Sequence, residues 1–252
     1  VKRIAGYSLV FIVAFIASLI VYLPAGVVIS RLTLPSQLLL NGVEGTVWQG
    51  SIKQVRWQND DFGELQWRVK PSALLSAKLE ASVRFGRESD LNLRGKGEVG
   101  YGLEGAYASN LVLSMPVDEV LKRAPMPVPF VAKGQLELTV QNYTYQSPYC
   151  LNAKGTLAWS QAGVESPFGN LDLAQTIADV TCENSTLNVK GSQNSTQVSS
   201  EYSAQLSPNY RYQANGWFKP RTDFPKSLAD KLKWLPRPDS QGRYQFKQQG
   251  RL

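Results

Sequence analysis

Two patterns of apolar positions divide the chain. From Ile4 to Ile29 no residue carries a charge, whereas from Pro35 onward apolar residues alternate with polar ones through most of the sequence. An unbroken apolar run is the pattern of a membrane helix, and alternation is the pattern of strands that bury one face. The stretch from Ile4 to Leu23, at about 1.5 Å per residue, reaches roughly 30 Å, the thickness of a bilayer's hydrocarbon core. It is too long for the apolar core of a signal peptide, and Leu23 precedes Pro24-Ala25 where a small-x-small cleavage site would stand. A retained anchor is therefore expected. Lys2 and Arg3 precede the span and only Arg31 follows closely, which places the N-terminus in the cytoplasm and the remaining chain outside it.

The alternating part predicts a mainly β protein. Val55 and Trp57, then Leu65, Trp67 and Val69, read as a hairpin joined by Asn59-Asp60-Asp61-Phe62-Gly63. The longest run places Leu91, Leu93, Gly95, Gly97, Val99, Tyr101 and Leu103 on one face. Its glycines lack a strand-turn-helix context, so they predict sheet curvature or close packing, not a nucleotide loop. Further strands are expected at Leu79–Phe85, Leu187–Val189 and Tyr244–Phe246. Another covers Leu136–Val140, with a phase change before Tyr143 and Tyr145 that predicts a bulge.

Two short helices are expected, Val117–Arg123 and Lys226–Trp234, both bracketed by prolines. Leu228, Leu232 and Leu235 of the second follow helical spacing, which predicts packing on the sheet. The surroundings of the two match. Met115-Pro116, the helix, Pro125–Pro129 and Gly134-Gln135-Leu136-Glu137-Leu138 parallel Lys219-Pro220, the helix, Pro236–Pro238 and Gly242-Arg243-Tyr244-Gln245-Phe246. The expected organisation is a cytoplasmic start and transmembrane anchor over 1–30, then β-rich halves over 31–148 and 149–252. The fold class is an N-terminal transmembrane helix followed by a duplicated, curved antiparallel β-sheet or sandwich with two short helices.

Composition limits the chemistry. The sequence has no histidine, which removes the commonest general base and metal ligand together with Ser-His and Cys-His nucleophile systems. Asp60-Asp61 suits a turn, and Asp118-Glu119 suits the positive end of a helix dipole. A two-carboxylate glycosidase is the residual enzymatic alternative. No catalytic, cofactor-binding or metal-ligating residue is assigned, and no cofactor or small-molecule substrate is expected. The net charge of +7 suits acidic headgroups beside the anchor. Nucleic acid is not expected, because the basic residues are scattered and the location is extracytoplasmic. Cys150 and Cys182 both fall in the exported portion and are expected to form a disulfide. Trp48, Trp57 and Trp67 are expected as same-phase neighbours on strands, packed in the core or presented to a partner.

A short charged start, one anchor, Gly42-Val-Glu-Gly45-Thr-Val-Trp48-Gln-Gly50 opening a β-rich part, and a cysteine pair together resemble the type II secretion system protein N (general secretion pathway protein N) family. The resemblance covers the whole chain and rests most on Gly42, Gly45, Trp48 and Gly50. It implies a non-enzymatic, single-pass component of the bacterial inner membrane with its bulk in the periplasm. Such a component contacts other subunits of the type II secretion system at the inner-membrane platform, and membrane lipid through its anchor. Long strands with one greasy face on an anchored scaffold also resemble periplasmic lipid-bridging proteins of the AsmA-like type. A closed sandwich favours the first reading and an open apolar trough the second.

Overall fold

Why one chain with alternating strands forms a single layer follows from how it pairs. The computed structural model describes residues 2–123 and 130–251, with the side chains of 2–6, 8–10 and 17 not among those described. It opens with helix α1, Lys2–Val21, and a short helix α2, Ala25–Ile29. Strands follow at Leu38–Gly45 (β1), Gln49–Trp57 (β2), Asp60–Asp61 (β3), Glu64–Val69 (β4), Leu79–Arg87 (β5), Arg94–Gly102 (β6) and Gly105–Pro116 (β7). The series continues with Val131–Thr144 (β8), Asn152–Ser166 (β9), Gly169–Glu183 (β10), Thr186–Asn194 (β11), Val198–Leu206 (β12), Arg211–Pro220 (β13) and Tyr244–Arg251 (β14). They form one antiparallel sheet of 14 strands in sequence order, with β3 pairing beside β2 off the main path.

Register sorts the side chains into two faces. One ladder of directly paired residues runs from Val43 and Ile52 through Leu65, Phe85 and Gly95 to Leu113. It continues through Leu138, Leu157, Ala178 and Gly191 to Tyr202, Gly216 and Phe246 at the far edge. The adjacent ladder on the opposite face begins Glu44, Ser51, Gln66, Arg84, Lys96 and ends Lys190, Ser203, Asn215, Lys247. A slip of one residue anywhere would exchange these faces, so the apolar pattern holds the register from edge to edge.

Among the described residues, no second layer covers the apolar face. Strands pack extensively only on their immediate neighbours in the sheet, so the sandwich alternative is not what forms. A compact protein of 27.9 kDa exposes about 11,000 Å². This chain exposes 16,963 Å². The excess belongs to one uncovered layer and a helix that stands clear of it.

Several expectations are corrected in detail. The first short helix, α3, is Val117–Leu121, and the second is a four-residue helix α4, Lys226–Ala229, continued by a 3-10 turn over Asp230–Trp234. This second segment lies against the start of β10, where Leu228 and Ser227 lie beside Gly169. The alternating run begun at Leu91 is strand only over β6, because Leu91 is buried in the preceding turn while Leu103 stands exposed on the following one. The bulge expected before Tyr143 is present: pairing with β9 shifts register between Val140 and Asn142, which returns Tyr143 to the apolar face. Of the matched flanking segments, Pro125–Pro129 lies outside the described residues.

Helix α1 runs through 20 residues, and its described large side chains are exposed on every side. Among the described residues, however, no helix is long and apolar enough to cross a membrane, so the expected transmembrane helix is not supported by those residues alone.

Candidate functional site

The segment singled out in the sequence, Gly42–Gly50, forms the joint between helix and sheet. Gly45 closes β1 at a φ of +88°, a left-handed conformation, and a Cβ there would stand 2.5 Å from the Gln49 carbonyl oxygen. That turn carries Trp48 back toward α1, where its indole Nε1 donates to the Ile20 carbonyl oxygen at 2.8 Å. The Val47 amide donates to the Leu23 carbonyl at 3.0 Å, and Pro24 bridges to Thr46. One carbonyl of the last turn of α1, that of Ile20, and the Leu23 carbonyl just beyond the helix are thus bonded by the hairpin. Gly50 lies opposite Trp67, and a Cβ on it would meet Trp67 Cζ2 at 2.5 Å. Trp67 Nε1 in turn donates to the Val47 carbonyl at 3.2 Å. Gly42, at a φ of +68°, faces the Lys53 side chain and takes no part in the joint.

The three tryptophans are therefore not same-phase neighbours. Trp48 sits in the turn, Trp67 on the apolar face over Gly50, and Trp57 on the opposite face with Lys53, where it is 41% exposed. Counting along the sequence could not reveal this, because the turn at Gly45 and the interruption by β3 reset the phase.

Larger hollows, of about 950 and 880 Å³, lie on the charged face, but the apolar face is a second candidate binding surface. Near its middle lies an open hollow of about 390 Å³ whose lining includes Leu138, Val140, Tyr143, Val180 and Leu187. Cys150 and Cys182 border it and form a disulfide with a Cα–Cα distance of 6.3 Å, both side chains buried. The bridge ties the β8–β9 loop to the end of β10, one strand beyond.

The opposite face carries charge. Lys70 Nζ lies 2.9 Å from Glu80 and also pairs with Glu98. Tyr107 donates to Glu80 at 2.8 Å, and Ser109 donates to Glu98 at 3.3 Å. The hydrogen bonds to Glu98 and then Glu80 hold the Lys70 ammonium above its ordinary range, while those from Lys70 and then Tyr107 hold the Glu80 carboxyl below its own. These groups are consumed by one another, and Glu98 also lines an open hollow on that face. Asp61 closes the β3–β4 turn by accepting from the Gly63 amide at 2.8 Å, and Asp60 pairs with Arg123 at 2.7 Å. Among the described residues, no group of three or more Cys, Asp or Glu could hold a metal ion.

At the rim opposite the joint, Lys231 Nζ stands 5.0 Å from the Phe168 ring centroid and 4.4 Å from that of Trp234. Trp234 is 74% exposed. Sequence reading passed over this patch, since its members lie more than sixty positions apart and only the β9–β10 turn brings them together.

The comparisons with known proteins bear on the whole of this architecture. Residues 36–247, nearly all of the sheet, match the family model for type II secretion system (T2SS), protein N. The chain is 51% identical to the type II secretion system protein N of Vibrio cholerae serotype O1, with all of both chains covered. It is 36% identical to that of Aeromonas hydrophila with 96% of each covered, and 31% identical to that of Klebsiella pneumoniae with 87% and 85% covered. No solved structure matches the chain. With the joint at Gly42–Gly50 and the strands beyond it inside the matched region, the chain belongs to the type II secretion system protein N family.

Proposed function

We propose that this protein is a non-enzymatic inner-membrane component of the type II secretion system that acts by contact with other subunits at the inner-membrane platform. Membership of the family supports the secretion role. The observation that carries the rest is the helix-to-sheet joint: an apolar helix is held to an open sheet through the carbonyls of Ile20 and Leu23 at and just past its end, so the helix serves to place the sheet.

Helix α1 is read as the anchor, with the N-terminus cytoplasmic and the sheet periplasmic. Support comes from the uncharged stretch from Ile4 to Ile29 and from exposures such as 77% for Tyr7 and 71% for Phe11. A helix apolar on all sides is at rest in lipid, where its neighbours are acyl chains. The two halves, 31–148 and 149–252, are read as a duplication, each containing a strand, a short helix and a returning strand. The boundary falls in the β8–β9 connection, and the sheet runs across it.

Partner contact falls to the features left open: the unpaired outer edge of β14 and the Phe168–Lys231–Trp234 patch. An exposed edge offers a row of backbone donors and acceptors for strand addition. The absence of histidine and the bonding of both cysteines support a role without catalysis. The test is photocrosslinking in intact cells from Gln248, Trp57 and Trp234. Adducts with secretion subunits are expected, and adducts with phospholipid alone would overturn the contact role.

A second reading has its own observation. The apolar face is uncovered, and its hollow is lined mostly by carbon; Tyr149, which borders it, has a buried hydroxyl without a protein partner. That geometry fits an acyl chain, as in an AsmA-like lipid module. Purification in mild detergent followed by mass spectrometry of extracted lipid tests it. Stoichiometric phospholipid, lost on Val180→Lys, supports it, and none in either protein refutes it.

A further inference from the structure

The rim of the sheet beside the joint carries leucines with almost no protein around them. Leu75, in the 3-10 turn Pro71–Ser76 between β4 and β5, is 92% exposed, and Leu103, on the turn between β6 and β7, is 93% exposed. Tyr101 and Leu79, paired directly across β5 and β6, are 65% and 54% exposed. The two turns are neighbours, for a Cβ on Gly102 would lie 3.4 Å from Lys78 Cγ. Scattered surface leucines need no explanation, but several adjoining ones at turn tips mark a contact surface.

The position of this rim is tied to α1. Trp48 donates to Ile20 through its indole, and its own carbonyl accepts from the Val69 amide at 2.7 Å. One residue thus connects the end of the helix to the end of β4, immediately before the exposed turn. We infer that the Leu75 and Leu103 turns dip into the outer-leaflet headgroup region of the membrane that α1 enters, giving the sheet a second attachment to the bilayer. The inference rests on the reading of α1 as the anchor.

Lipid is favoured over a protein partner by the company these leucines keep. Tyr22, at the end of α1 and 73% exposed, and Tyr101 are the aromatic residues suited to an interface. Lys78 supplies a cation at the same level, stacked 5.6 Å from the Tyr107 ring. Glu104, next to Leu103, limits insertion to headgroup depth. The leucines sit at the tips of two narrow turns, and each turn can enter a fluid interface independently. Two attachments, the helix and this rim, set the tilt of the sheet on the membrane, which one helix alone cannot do.

The test uses the full chain in vesicles of phosphatidylethanolamine and phosphatidylglycerol. Both native cysteines are bonded, so Leu75→Cys, Leu103→Cys, Phe168→Cys and Phe11→Cys each offer a single thiol for an environment-sensitive fluorophore. Expected are blue-shifted emission and several-fold stronger quenching by headgroup-proximal spin-labelled lipid at 75 and 103 than at 168 on the opposite rim. Position 11 is expected to respond to deep quenchers. If 75 and 103 behave like 168 while 11 is quenched, the second attachment is refuted and the anchor stands. If 11 is also in water, the anchor reading falls and the inference with it.

Discussion

The Phe85 ring lies over Gly95, its direct partner on the neighbouring strand, so closely that a Cβ at 95 would overlap the ring. Trp67 stands in the same relation to Gly50, Tyr202 to Gly191 and Phe246 to Gly216. A single-layer sheet has no second sheet to bury its aromatic residues, so the rings fold down onto neighbouring strands that lack side chains. Gly95→Val is expected to lower stability by about 1–3 kcal/mol through overpacking. Gly26→Ala, where a Cβ meets nothing within 4 Å, serves as the control. Thermal unfolding followed by near-ultraviolet circular dichroism separates the two.

The disulfide closes a loop over a separation of 32 residues. In the chain-entropy account such a loop contributes about 3–4 kcal/mol by restricting the unfolded chain. Cys150→Ser with Cys182→Ser is therefore expected to lower the unfolding midpoint in urea substantially. Adding reductant to the unmodified protein should reproduce the loss, and an unchanged midpoint would show that the bridge contributes nothing.

Glu80 predicts a dependence on acid. Its folded carboxyl titrates below the ordinary 4.5, held there by Lys70 and then Tyr107. The stabilisation it provides is complete above the unfolded value and is lost as the pH falls through the lower folded one. Glu80→Gln should therefore be less stable than the parent at pH 7, with the difference shrinking below about pH 4. For Lys70, held above 10.5, the sense is opposite: its contribution is present below that value and fades as the pH rises through the folded one. Melting temperatures of parent and variant across both ranges check each sign.

The helix-to-sheet joint predicts a local effect. Trp48→Phe keeps an aromatic ring in place and removes the donor to Ile20, at an expected cost of about 1 kcal/mol. Amide exchange should quicken at Val47, whose own bond to Leu23 depends on the same turn, and hardly change at Val180 in the middle of the sheet. Uniform protection in the variant would mean that the indole bond does not hold the joint.

The apolar alternation made most of the early strands legible, but in the hairpin Val55 and Trp57 lie on the face opposite Leu65 and Trp67. It faded over β9, β10, β12 and β13, where the inward positions include Ala153, Gly155, Ala178, Ala204 and Ala214. Small residues carry little periodic signal, yet they suit strands on which aromatic rings and a disulfide rest. Gly45, Trp48 and Gly50 stood out as a motif, but their purpose required Ile20, Leu23 and Trp67, which only folding brings beside them.

By itself the sequence determined the local preferences: a helix uncharged from Ile4 onward at one end, strands with one apolar face, proline-bracketed helical turns, no histidine chemistry, and a pair of cysteines. Whether the strands would close into a sandwich or extend as a single layer was decided only in three dimensions. Alternation specifies that a face is apolar, and register specifies which residues share it. Neither specifies what covers it, since that depends on whether distant strands return to one another. Here each strand pairs only with its immediate neighbours, and the greasy face is left uncovered.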